Sequence, residues 1–204
     1  MNFYSAPFWI RAIYPKNLTW RIPTSQKEVF LTFDDGPVPE VTPLVLGILK
    51  KYNVKATFFC VGENVQKYPE VFRLIAKDGH AVGNHTLHHV KAWKNDFNSY
   101  ISEVKQCNQL VKSNLFRPPH GQITPKIARQ LSKDYQIIMW SALTGDYDTK
   151  LNGKQCLANA VNNTGPGSVI VFHDSLKARE RLEYALPLYI EYCLEQGYSF
   201  SILK

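Results

Sequence analysis

Short apolar runs alternate with amphipathic stretches along most of the chain, and this alternation limits the fold more than any other feature. Seven runs read as strands: VFLTF, KATFFCV, HAVGN, LFRP, QIIMWSA, SVIVFH and YSFSIL. Most are short and rich in β-branched or aromatic residues, as expected of strands covered on both faces. Between the first two, Val41, Leu44, Val45, Ile48 and Leu49 recur at helical spacing. Between the third and fourth, Phe97, Ile101, Val104 and Val111 do the same, with Asp96 placed to cap the helix start. TPKIARQLSKDY and ERLEYALPLYIEYCLEQG fill two later intervals, and Pro187 is expected to kink or split the second. Strands separated mostly by helices give an α/β fold with a parallel sheet, closed as a barrel or left open. No linker, repeat or low-complexity segment divides the 204 residues, a length that suits one domain with a full core. Residues 1–27 read as an N-terminal arm packed on that domain.

Composition excludes several classes. With 45% hydrophobic and 20% charged residues, the chain is globular rather than disordered. No apolar run approaches the ~20 residues of a membrane-spanning helix. The aromatic start is interrupted by Pro7, Arg11 and Pro15 and lacks the order of a signal peptide, so a cytoplasmic location is expected. The four cysteines form no C-x-x-C pair, which argues for buried free thiols over a zinc ribbon or redox motif. The net charge of +7 is spread along the chain, which fits a solvated surface better than a nucleic-acid patch. A monomer is expected.

Reactive side chains cluster just past the strand ends: Asp34 and Asp35, His85, Arg117, Asp146 and His173. Sites on α/β sheets and barrels assemble at the carboxyl ends of the strands. Neighbouring residues of a strand face opposite ways, so Asp34 and Asp35 serve one centre only if the strand breaks there. Gly36-Pro37 supplies the break. His85 and His89 are four apart and share a face on a helical turn, with His88 pointing elsewhere. Two imidazoles and one carboxylate suit zinc or a similar divalent ion, with positions left for water and substrate. With Asp35 on the metal, Asp34 is free to take a proton. His173 would then serve as the acid, and Arg117 would hold Asp34 ionised. Taken singly, each feature has a plain alternative: surface histidines, a turn without chemistry, a structural histidine at a strand end.

Taken together, the motifs resemble the polysaccharide deacetylases, also called the NodB-homology or carbohydrate esterase family 4 domain. TFDDGP, HTLHH, RPPHG and VFHD match four of its motifs in order, from about Val29 to Ser175. The resemblance implies a single domain with a distorted parallel (β/α) barrel of about seven strands. It implies metal-dependent removal of acetyl groups from an N-acetylated glycan, of chitin or peptidoglycan type. Asp34 would be the base and His173 the acid, with Asp35, His85 and His89 on the metal. Zinc is the expected ion, with cobalt, nickel or manganese as alternatives. Arg117 would orient Asp34, Asp146 would tune His173, and the His120 N–H would serve an oxyanion. Val171 would line the acetyl pocket.

The chain departs from the family pattern at two places. His120 stands where tyrosine is usual. In the Asp-x-x-Asp-Trp motif, Leu143 replaces the first acid and Tyr147 the tryptophan, which bears on substrate preference. Tyr147, Trp93 and Trp140 are candidates for stacking on sugar. Two other functions share the same residues: an amidase acting on small amides, and a catalytically silent carbohydrate-binding domain. A non-haem iron oxygenase is set aside, since no His-x-Asp spacing or β-rich pattern occurs.

Overall fold

The structure, a computed structural model, describes residues 14, 15 and 17–204; the rest of the N-terminal arm lies outside the described residues. The strands are β1 Leu18–Thr19, β2 Glu28–Asp34, β3 Thr57–Cys60, β4 Ala81–Asn84, β5 Leu115–Phe116, β6 Gln136–Ile138, β7 Ala142–Leu143, β8 Ser168–His173 and β9 Ser199–Phe200. The helices are α1 Thr42–Lys51, α2 Gly62–Lys67, α3 Pro69–Lys77, α4 Phe97–Val111, α5 Pro125–Leu131, α6 Gly153–Val161 and α7 Arg179–Glu195. The sheet runs β1-β6-β5-β4-β3-β2-β8-β7, with β9 also on β2. Every ladder between these strands is parallel. The barrel is distorted because no ladder joins β7 to β1 among the described residues.

Two strand expectations are corrected. The arm does more than pack on the domain: Leu18–Thr19 joins the sheet as β1. The run QIIMWSA is not one strand. It breaks at Met139–Ser141, so that β6 lies near one end of the sheet path and β7 at the other. This segment spans the gap that the ladders leave open. The carbonyls of Ile138 and Met139 accept hydrogen bonds from Arg117 at 3.2 and 3.0 Å. A buried guanidinium thus takes up backbone acceptors where the ladder stops.

Side chains on β2 and β8 show how the barrel is filled. The two strands pair in register from Val29↔Ser168 to Asp34↔His173. Residues two apart share a face, so Phe30 and Val169 lie low in an apolar cluster with Phe59, Leu115 and Ile138. Thr32 and Val171 form the next layer, and Asp34 and His173 the top. The other faces carry Val29, Leu31, Phe33, Ile170 and Phe172 into the main core beneath the helices.

The helices follow the apolar spacing. α1 starts at Thr42-Pro43 and buries Val45, Leu46 and Leu49. Asp96 caps α4 as expected, accepting from the N–H groups of Asn98 and Ser99, a contribution of about 1 kcal/mol. α2, α3 and α6 were not anticipated. Pro187 does not split α7, which runs unbroken through it. An interior proline costs about 3 kcal/mol. Burial of Leu182, Leu186, Tyr189 and Ile190 in α7 outweighs that, at about 1.5–3 kcal/mol per large apolar side chain. All four cysteines are buried free thiols. Among the described residues no helix is long and apolar enough to cross a membrane.

Candidate active site

The top layer of the barrel opens into a cleft of about 460 Å³ at the carboxyl ends of the strands. Asp34, Asp35, His85, His89, His120, Tyr147 and His173 all line it. A larger hollow of about 580 Å³ lies at the opposite end of the sheet, lined by Ile22, Phe30, Lys55 and the last residues of the chain. It holds none of these reactive groups.

The adjacent acids reach one centre because the backbone reverses at Asp35, whose φ is 80°. A non-glycine residue there costs about 1–2 kcal/mol, and neighbouring contacts hold it. Asn64 Nδ2 donates to the Asp35 carbonyl at 2.8 Å, and the Val61 N–H donates to the Gly36 carbonyl at 2.9 Å. Asp34 stays in line with the strand and faces the barrel interior, while Asp35 swings over the cleft.

His85 and His89 were expected to converge on a helical turn. They lie instead in an irregular segment after β4, and positive φ at Thr86 (64°) and His89 (53°) brings the rings together. Their ring centroids are 5.1 Å apart. Asp35 Oδ1 lies 3.1 Å from His89 Nε2 and 3.7 Å from His85 Nε2. The three ligand atoms all fall within 4.8 Å of one another. His88 points elsewhere, as expected, and bonds Glu103 at 2.8 Å.

The donor set fits a divalent ion in its chemistry as well as its spacing. The Arg117 carbonyl lies 2.7 Å from His85 Nδ1, which therefore carries the proton and leaves the Nε2 lone pair facing Asp35. Burial pulls the His85 pKa down to about 4, so the ring is neutral and able to ligate. Burial alone would raise the Asp35 pKa, but the hydrogen bond from His89 and the charges of His173, His85 and His89 hold it well below the usual carboxylate range.

Arg117 is fully buried. Its Nη1 donates to Asp34 Oδ1 at 2.7 Å and to Thr32 Oγ1 at 2.8 Å. Its guanidinium also covers the Phe59 ring at 4.1 Å. Arg117 therefore fixes the orientation of the Asp34 carboxylate through a charge-assisted hydrogen bond. Across the cleft, Asp146 Oδ1 lies 2.7 Å from His173 Nδ1, and its Oδ2 accepts the His173 backbone N–H at 2.7 Å. Burial would lower the His173 pKa, but Asp146, then Asp35 and Asp34, raise it to about 9. His173 is thus a cation with Nε2–H free for the cleft.

Three of the four motifs, TFDDGP, HTLHH and RPPHG, fall within residues 21–139, which match the polysaccharide deacetylase family, while Asp146 and the VFHD motif lie beyond that span. The chain belongs to the polysaccharide deacetylase family. This deacetylase is 34% identical over 190 residues to a peptidoglycan-N-acetylglucosamine deacetylase of Bacillus cereus, covering 90% of this chain and 89% of that one. It is 32% identical over 162 residues to a chitooligosaccharide deacetylase of Azorhizobium caulinodans, covering 76% and 77% of the two chains. It also superposes on the crystal structure of the Bc1960 peptidoglycan N-acetylglucosamine deacetylase with a TM-score of 0.89 at 32% identity, covering 97% and 95%. It is a hydrolase of non-peptide carbon–nitrogen bonds in N-acetylated polysaccharides.

Some residues of the deacetylase stand apart from their expected places. Val171 is fully buried one layer below His173 and does not line the cleft; Leu143 does. Tyr147 meets the His173 ring edge-on, with centroids 4.9 Å apart. Trp140 lines the cleft and packs over Gly121, where a Cβ would fall 2.4 Å from the indole. Trp93 is exposed and lies outside the cleft lining. His120, with φ of 58°, places its ring centroid 4.6 Å from that of His89, with the two rings tilted by 55°. Burial, then His89 and Lys91, lower its pKa to about 4, so a neutral imidazole stands in the tyrosine position.

Sequence reasoning missed Ser175 and Lys177, which also line the cleft. It missed Arg181 as well, which donates to the Asp146 carbonyl at 2.6 Å and to the Lys177 carbonyl. No local motif marks Arg181. Ser175 directly follows the VFHD motif, and that adjacency was the available signal.

Proposed function

We propose that this chain removes acetyl groups from N-acetylated amino sugars of a glycan polymer, with zinc or a similar divalent ion held by Asp35, His85 and His89. The observation that supports this most is the opposed pair across one cleft: Asp34 oriented by Arg117 at 2.7 Å, and His173 held protonated by Asp146. A bound divalent ion would supply Lewis acidity, polarising the acetyl carbonyl and making water more acidic.

The protein groups divide the remaining work. Asp34 takes the proton of the attacking water, and Arg117 keeps that carboxylate from turning away. The His120 N–H, at the end of a rigid Pro-Pro segment, donates to the oxyanion that forms on the acetyl oxygen. His173 Nε2–H delivers a proton to the sugar nitrogen as the carbon–nitrogen bond breaks. The amine departs neutral and acetate is released. Tyr147, Trp140 and Leu143 exclude water around the acetyl group and the ring that carries it. Similarity to a peptidoglycan-N-acetylglucosamine deacetylase and a chitooligosaccharide deacetylase favours peptidoglycan or chitin-type oligomers as substrate.

Acetate release should be measured on peptidoglycan, chitin oligomers and small amides, with metal content determined on the same preparations. Release from a glycan that stops on chelation and returns with Zn²⁺ supports the reading. Release from small amides alone, or glycan binding with no release, contradicts it.

A further inference from the structure

Asp174 is buried, with 1% of its surface exposed, and follows the acid His173 directly, yet the proposed reaction gives it no part. Its contacts run to the segment that carries the base and a metal ligand and to the start of α1. Its Oδ1 accepts the Gly36 N–H at 3.1 Å. Its Oδ2 accepts the Thr42 hydroxyl at 2.6 Å. Its own N–H donates to the Asp34 carbonyl at 3.1 Å. Thr42 Oγ1 in turn accepts the Val38 N–H at 2.8 Å. One carboxylate therefore ties residues 34–38 to the end of β8 and the start of α1.

The fit is close. A Cβ at Gly36 would fall 2.0 Å from Asp174 Oδ2, so only glycine lets the backbone approach. The residue between Asp34 and Gly36 is Asp35, in a left-handed conformation that its surroundings must enforce. We propose that Asp174 is a positioning residue for the metal centre: its clamp on Gly36 and Thr42 holds the reversal that aims Asp35 at His85 and His89. It acts through Asp35 and touches neither substrate nor ion. The inference rests on the metal reading above.

Groups that orient metal ligands change metal affinity about 10–100-fold on removal. The test measures Zn²⁺ and Co²⁺ dissociation constants by competition titration, the Co²⁺ visible spectrum, and thermal melting of the chelated proteins. Asp174→Ala is expected to weaken metal binding about 10–100-fold and alter the Co²⁺ spectrum, and Asp174→Asn, which keeps an acceptor for Gly36, to recover most of the affinity. A purely structural role would lower the melting point of the chelated protein and leave the dissociation constant alone. Wild-type affinity and spectrum in Asp174→Ala overturn the inference while the metal reading stands. A wild type that takes up no divalent ion overturns both. If Asp174→Ala does not fold, Thr42→Val removes one arm of the clamp; about 3–10-fold weaker binding supports the proposal, and unchanged binding overturns it.

Discussion

Replacing Asp146 by asparagine keeps the shape of the side chain and an acceptor for the His173 N–H but removes its charge. Asp146 is fully buried and makes two 2.7 Å contacts to His173, one to the backbone and one to Nδ1. Burial on its own would push the His173 pKa below the ordinary 6.5, and Asp146 is the first of the charges that carry it to about 9. At 1.36 kcal/mol per pH unit, that elevation amounts to about 3 kcal/mol in favour of the cation. With the carboxylate gone, the pKa should fall to 6.5 or lower. The reaction needs His173 protonated, so activity is present below its pKa and lost above it. At pH 8 the protonated fraction would drop from about 0.9 to about 0.03, a loss of about 30-fold in kcat/KM. A divalent ion in the cleft shifts wild type and variant downward alike and leaves the difference between them.

The assay is the pH dependence of acetate release between about pH 5 and 10, alongside proton resonances of the His173 ring. The alkaline limb should move down by about 2.5 pH units or more in the variant. Stability carries the same sign, because a raised pKa contributes fully below about 6.5 and is lost as pH rises through about 9. The variant should lack that alkaline loss. An unmoved alkaline limb would refute the reasoning, since either Asp146 would not set the acid or His173 would not be the acid.

Arg117→Met should destabilise the protein by about 3–5 kcal/mol in urea unfolding, because it leaves Asp34 as an unpaired buried charge. Adding Asp34→Asn should recover part of that loss, and a double variant no more stable than Arg117→Met would contradict the pairing. Acid should weaken the fold through His80, far from the cleft. The Ala56 N–H donates to His80 Nδ1 at 3.2 Å, which requires a neutral ring, and burial followed by the charge of Lys55 lowers the His80 pKa to about 4. Between about 6.5 and 4 the unfolded chain takes up a proton that the folded one refuses, so stability falls as pH falls through that window. His80→Gln should flatten the pH dependence of the urea midpoint there, and an unchanged slope would count against this account.

The strand ends were legible because short, near-continuous apolar runs stop at Gly-Pro, Pro-Pro and polar residues, and the reactive side chains sit at those ends. The convergence of Asp35, His85 and His89 was legible as chemistry but not as geometry. Left-handed backbone at Asp35, Thr86 and His89 does the aiming, and no residue type there announces it. The break inside QIIMWSA was hidden because the group that takes up the carbonyls of Ile138 and Met139 there is Arg117, about twenty residues away in sequence. Val171 was read from its place in a motif, yet strand alternation puts it one layer down. α3 was legible but not anticipated: Val71 and Ile75 lie four apart and are its buried residues. The Asp174 clamp and the Arg181 contact to Asp146 join residues 138 and 35 apart in sequence, which local pattern does not encode.

The division of labour between the adjacent acids is the centre of this account. Asp34→Asn and Asp35→Asn should be purified side by side, and their metal content and acetate release compared with wild type. Asp34→Asn is expected to keep its metal and lose about 10²–10⁴-fold in turnover. Asp35→Asn is expected to lose metal affinity, with turnover partly restored at high Zn²⁺. Equal metal loss in both variants, or full turnover in Asp34→Asn, would contradict the assignment of the proton to Asp34 and the metal to Asp35.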